Sequence, residues 1–121
     1  MQVQKIIDVL KNLRVSIVEE ELDLQQQIAT ELQKAGVEFK REYRIGRRNR
    51  VDFMVAGGIV LEVKKGKPYI GNVLGQLERY AAFPEVKAII LVVERNLDLP
   101  KTINSKPCIS FGLNKLWGIA L

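Results

Sequence analysis

The sequence predicts an α/β fold in one domain, a mixed β-sheet flanked by helices, and three observations carry that prediction. Amphipathic segments with apolar residues every three or four positions, at residues 2–14, about 17–35 and about 70–83, are interleaved with extended-looking segments at 37–45, 50–65 and 86–93. The run Val86 to Val93, VKAIILVV, is apolar on both faces and follows a helix, the pattern of a central strand reached by a parallel crossover. A chain of 121 residues suits one domain with a real core, so residues 1–121 are taken as a single unit without linker, repeat or low-complexity tract.

The elements follow in order. Val3, Ile6, Ile7, Leu10 and Leu13 fall at helical spacing among Lys5, Asp8 and Lys11, so a short packing helix opens the chain. Ser16 and Glu19 have the spacing of a capping box for a second helix that Gly36 would close. On it Glu21, Gln25, Ile28, Leu32 and Ala35 form one stripe whose second half faces a core, which places Glu21 and Gln25 at the end of a buried face. Residues 37–45 alternate Val37, Phe39, Arg41, Tyr43 and Ile45 against Glu38, Lys40, Glu42 and Arg44, a strand with one largely apolar face. Six cations from Lys40 to Arg50 surround a turn marked by Gly46 and Asn49, and Arg44, Arg47, Arg48 and Arg50 are the candidates for phosphate contact. Two apolar strands then meet across Gly57 and Gly58. The helix after Gly66, Lys67, Pro68 and Gly71 carries Gln76 and Tyr80 one turn apart and ends at Pro84. Residues 94–106 read as irregular with Pro100 and Pro107 as breakers, and CISFGL and LWGIAL as one or two closing strands with Trp117 as a packing anchor.

Composition limits the chemistry. There is no histidine, which removes His-based triads, His-ligated zinc and His acid/base pairs, and the single Cys108 allows no internal disulfide and reads as a core residue. Carboxylates and lysine are what remain for catalysis. The formal charge of +5 and pI near 9.5 favour a polyanionic partner. No apolar run approaches a membrane span, and Lys5, Asp8 and Lys11 interrupt any leader-like start, so no membrane partner and an intracellular, cytoplasmic place are expected.

The stretch Arg50 to Lys65, RVDFMVAGGIVLEVKK, sets Asp52, Glu62 and Lys64 among apolar residues, where an unpaired ion would cost several kcal/mol. Glu62 and Lys64 are two apart and leave the same face of a strand. Carboxylates about 4 Å apart repel by roughly 1 to 4 kcal/mol, so Asp52 beside Glu62 calls for a proton or a cation, and hard oxygen ligands at low number suit Mg2+ or Mn2+. A plain structural cluster is the other reading of the three charges. The geometry discriminates between registers. A two-residue Gly-Gly turn would pair Asp52 with Val63 and send the carboxylates to opposite faces, whereas a three-residue loop of Ala56, Gly57 and Gly58, or a bulge, would pair Asp52 with Glu62. The odd loop is the one expected.

The pattern Asp52, then Glu62-Val63-Lys64 on the next strand, resembles the PD-(D/E)xK nuclease superfamily, with Val51 standing where the motif has proline; Gln76 and Tyr80 resemble the Q-x3-Y motif of its RecB-like members. The resemblance spans about Glu21 to Val93 within a core of about 17–93. It implies a restriction-endonuclease-like αβββαβ core and a Mg2+- or Mn2+-dependent nuclease acting on nucleic acid, DNA being the expected form. It further implies Asp52, Glu62 and the Val63 carbonyl as metal ligands, Lys64 and Glu21 as catalytic partners, and Gln76, Tyr80 and Gln25 near the nucleic acid. A homodimer would follow if both strands of a duplex are cut. The rival expectation is a catalytically inactive nucleic-acid-binding module of the same fold, acting in a replication or recombination complex.

Overall fold

The computed structural model describes residues 2–14 and 20–116. Ten elements follow one another: α1 (Gln2–Leu10), α2 (Glu21–Lys34), β1 (Phe39–Gly46), β2 (Asn49–Val55), β3 (Ile59–Lys64), α3 (Ile70–Ala81), β4 (Ala88–Val93), β5 (Thr102–Ile103), β6 (Lys106–Gly112) and the single turn α4 (Leu113–Leu116). The strands form one mixed sheet in the order β1-β2-β3-β4-β6-β5. β1, β2 and β3 run antiparallel, while β3, β4 and β6 are mutually parallel, so α3 is the crossover that returns the chain from β3 to β4. The fold is therefore the single α/β domain expected.

β4 shows why the sheet has two covered faces. All six of its residues, AIILVV, are buried, and they alternate between layers. Ala88, Ile90 and Val92 join Ile6, Leu10, Ile28 and Leu32 from α1 and α2. Ile89, Leu91 and Val93 join Val73, Leu77 and Tyr80 from α3. β-branched side chains suit a pleated surface packed on both sides, and the run holds no polar group that would need a partner there. Among the described residues no helix is long and apolar enough to cross a membrane.

The elements differ from expectation in four places. α2 starts at Glu21 with Glu20 in the N-cap position, and the capping box of Ser16 and Glu19 lies outside the described residues. Its buried face is Leu24, Gln25, Ile28, Ala29 and Leu32; Ala35 is exposed because the helix has already ended there, closed by Gly36 N–H to Gln33 and Val37 N–H to Leu32 carbonyls. Residues 94–106, expected to be irregular, contain β5, which turns into β6 through Asn104 and Ser105 at φ 51° and 64°, both in the left-handed region that a tight hairpin demands. Pro107 lies inside β6 rather than ending a segment. The ladder with β4 begins only at Cys108, so its missing N–H interrupts no bond to that strand. Cys108 itself is buried, and burial pushes its thiol up to about 11, as suits a core residue. Of the one or two closing strands, CISFGL falls in β6, after which Leu113–Leu116 form a helical turn; residues 117–121 of LWGIAL, Trp117 among them, lie outside the described residues.

The fourth difference positions the site. The side chains of β1 do not share one apolar face: Phe39, like Val37 just before the strand, packs on the α1/α2 side, Tyr43 and Ile45 on the α3 side. β2 does the same, with Phe53 in the first layer and Val51, two residues away, in the second. Both strands roll over at one point. The register Arg41 to Phe53 and Tyr43 to Val51 sets Glu42 against Asp52, and Glu42 has φ 50°, a left-handed backbone that breaks the alternation.

Candidate acidic site at the β2–β3 hairpin

The hairpin loop is Ala56, Gly57 and Gly58, because Val55 pairs with Ile59, Met54 with Val60 and Phe53 with Leu61. This is the three-residue loop that the site requires. Gly57 and Gly58 have φ 92° and 81°, and a Cβ at Gly58 would stand 2.5 Å from the Glu85 carbonyl oxygen, so neither conformation nor space admits a side chain there. Carrying the register one step further sets Asp52 opposite Glu62.

There the ordinary ladder gives way to a reciprocal clasp. The Asp52 N–H donates to Glu62 Oε1 at 3.0 Å, and the Val63 N–H donates to Asp52 Oδ2 at 2.8 Å. Each carboxylate thus fills a place that a carbonyl of the facing strand would take, and each strand holds the acid of the other. The rollover at Asp52 is what aims its side chain across the sheet instead of out of it. Glu62 is only 2% exposed and Asp52 is half-buried. Burial, followed by the charge of Asp52, pushes the Glu62 carboxyl up to about 8. Asp52 is raised too, chiefly by burial, with the Val63 N–H and the Lys64 charge opposing. Lys64 Nζ lies 3.8 Å from Glu62 Oε2, on a side chain 25% exposed, so an amine and two acids share the site mouth.

Glu21 reaches the same end of the sheet from the first turn of α2. Its Oε2 accepts the Lys65 N–H at 3.0 Å, and its charge raises both Asp52 and Glu62. No group of three or more His, Cys, Asp or Glu among the described residues is arranged to hold a metal ion. The oxygen donors brought together are those of Asp52 and Glu62, with Glu21 acting on them through its charge.

The other sequence candidates divide into inward and outward groups. Gln25 is buried on α2, where its Oε1 accepts from Arg41 at 3.5 Å; Gln26 accepts from the same guanidinium at 3.0 Å. Arg41, counted by sequence among the cations of the turn, therefore points inward, 5.6 Å from the Phe53 ring centre. Arg50 is paired with Glu42 at 3.1 Å. Arg47 and Arg48 form the tip of the β1–β2 turn, with Arg48 at φ 64° and Asn49 Nδ2 donating to the Arg47 carbonyl at 3.0 Å. Arg44, Arg47 and Arg48 are exposed. At about 3.3 Å per strand residue, Arg48 stands roughly 13 Å along β2 from Asp52.

Gln76 and Tyr80 do meet as an i, i+4 pair: Gln76 Nε2 donates to the Tyr80 hydroxyl at 2.9 Å. That hydroxyl donates in turn to the Arg50 carbonyl at 3.1 Å, and the ring is buried in the α3 layer. Tyr80 thereby ties α3 to β2 two residues before Asp52. Burial, then the charge of Glu62, raises its pKa. Sequence reasoning missed Glu94, whose Oε1 accepts the Gly66 N–H at 2.9 Å and fixes the loop leaving β3, and Tyr69 in that loop, which is 73% exposed. An aromatic residue between a proline and a helix start, just after the E-x-K segment, was the available signal for the second. Compared with protein-family models, curated proteins and solved structures, the chain matches none of them.

Proposed function

We propose that the protein is a metal-dependent nuclease of the PD-(D/E)xK kind, hydrolysing phosphodiester bonds of nucleic acid, with α2 to β4 as its restriction-endonuclease-like core. The observation that carries this reading is the clasp of Asp52 and Glu62: two acids held together in a largely buried place, where their mutual charge is costly without a cation. The donor set fits a small hard ion. Each carboxylate gives one oxygen to a backbone N–H, leaving Asp52 Oδ1 and Glu62 Oε2 without a backbone donor among the described residues. Two carboxylates with the Val63 carbonyl suit Mg2+ or Mn2+, which keep several waters of their own. Such an ion would supply polarisation of a phosphate oxygen and a lowered pKa for attacking water.

The chain's own residues supply the rest. The clasp fixes both acids without help from mobile side chains, so their geometry is set before substrate arrives. Lys64, anchored beside Glu62 and partly open to solvent, donates to an oxygen of the phosphate under attack or orients the water. Tyr80, with Gln76, acts by holding the Arg50 carbonyl and so the approach to Asp52. Arg44, Arg47 and Arg48 bind phosphates beyond the site.

The second reading, an inactive nucleic-acid-binding module, is favoured by the lack of a third ligating side chain among the described residues. One experiment separates the two. Labelled single-stranded, duplex and branched DNA are incubated with the protein in Mg2+, Mn2+ or EDTA, alongside Asp52→Asn and Glu62→Gln. Cleavage that requires the ion and both acids supports the nuclease; binding without cleavage under every condition supports the module.

A further inference from the structure

Three large apolar side chains are exposed among the described residues, Leu22, Tyr69 and Ile70. Single exposed apolar residues need no explanation on a protein surface. These are not scattered. Leu22 follows Glu21, Tyr69 ends the loop that leaves Lys64 and Ile70 opens α3, and the Glu21 to Lys65 hydrogen bond joins the two segments. Tyr69 thus lies on the loop that leads from β3, the strand of Glu62 and Lys64, into α3.

Tyr69 is also held in place. The Glu94 carboxylate accepts the Gly66 N–H, and the Arg95 N–H donates to the Gly66 carbonyl at 3.0 Å, which fixes the start of the loop. The Tyr69 carbonyl accepts from the N–H groups of Asn72 and Val73 at 3.1 and 3.2 Å, which fixes its end. The ring lies on Gly71: a Cβ there would come within 2.7 Å of Tyr69 Cε2. One side of the ring lies over the Gly71 backbone, and the residue as a whole stays 73% exposed. Lys67 is exposed two residues away, and a groove of about 520 Å3 runs from Tyr69 and Ile70 to Asn96 and Asp98.

We propose that Tyr69 is a stacking platform for a nucleobase, and that the site therefore takes nucleic acid as a single strand, with bases unpaired where it passes the acids. The proposal rests on the nucleic-acid reading above and names the form of its substrate. Paired bases in a duplex present no free face to a ring. An unpaired base does, and an aromatic surface beside a cation is the general means of holding a single strand without reading its sequence. The tyrosine hydroxyl plays no part; the flat ring does.

The test measures binding without chemistry. Fluorescence anisotropy in EDTA follows the full-length protein with a labelled oligothymidylate and with an abasic oligonucleotide of equal length and charge. Wild type should prefer the base-bearing strand. Tyr69→Ala should weaken binding to it by roughly five- to hundredfold, the range for removing the ring under one stacked base, and leave the abasic strand unchanged. Tyr69→Phe and Tyr69→Trp should retain the preference, and with an exposed side chain all three variants should keep the wild-type melting temperature. Equal affinity of Tyr69→Ala and wild type for oligothymidylate would overturn the proposal, as would equal weakening on both strands, or no preference in wild type. Cleavage assays on Asp52→Asn fail or succeed independently, so loss of the nuclease reading would leave the stacking result standing, and the reverse.

Discussion

Glu62 carries the strongest conflict in the molecule: a carboxylate 2% exposed, facing a second acid, with one lysine for relief. Its folded pKa of about 8 lies above the unfolded value of 4.5, so without a bound cation the folded state holds this proton more tightly than the unfolded chain. That contribution is complete below about pH 4.5 and is lost as pH rises through about 8. In EDTA the melting temperature should therefore fall between those limits, and Glu62→Gln, which keeps an oxygen for the Asp52 N–H and removes the charge, should flatten the fall and melt several degrees above wild type at about pH 8.5. A divalent cation should raise the wild-type melting temperature most at the alkaline end. The same hydrogen bonds govern how the acids are to be mutated: alanine at position 52 or 62 would orphan a strand N–H, at a cost of about 1–3 kcal/mol, whereas Asn and Gln remove charge and leave the clasp.

At the scale of elements, the hairpin loop decides whether those acids meet. Gly58→Ala should destabilise the protein by at least about 1–2 kcal/mol in urea unfolding, since the left-handed backbone alone costs that much and the added Cβ meets the Glu85 carbonyl. Tyr80→Phe removes the hydroxyl that links Gln76 to the Arg50 carbonyl; it should cost about 1 kcal/mol in the same assay. The loop was legible because chemistry and register are linked: side chains alternate with period 2, so only an odd loop lets Asp52 face Glu62. β4 and the α3 crossover were legible because an unbroken apolar run has few other places to go. The rollover at Glu42 and Asp52 was not, since no glycine or proline marks it and Val37 to Ile45 alternates cleanly in sequence. The alternation did set Arg41 on the apolar face, but its partners, Gln25 and Gln26, are contributed by α2, and nothing in the local pattern separates it from the cations of the turn. The β5–β6 hairpin was hidden for a related reason: Asn104 and Ser105 are a weak turn signal, and Pro107 read as a breaker when its position only spares the β4 ladder.

Over the whole molecule the net charge of +5 is less informative than where the cations are free to act. Of the six between Lys40 and Arg50, Arg41 is engaged by α2 and Arg50 by Glu42, while Lys40 lies over the Tyr43 ring at 5.6 Å. Arg44, near the end of β1, and Arg47 and Arg48, at the tip of the turn that follows, remain exposed. If these three bind phosphates, replacing each with glutamine should weaken binding to all sequences alike and reduce the slope of log affinity against log salt by roughly one unit per phosphate no longer neutralised. Arg41→Gln belongs to another class. Its guanidinium bridges β1 to α2 and covers Phe53, so removing it should lower the melting temperature and leave the salt slope unaltered. Measuring both quantities for all four variants distinguishes a phosphate-binding turn from general basicity: a slope that falls equally for Arg41 and for the turn arginines, or for none of them, would move the nucleic-acid surface away from this turn.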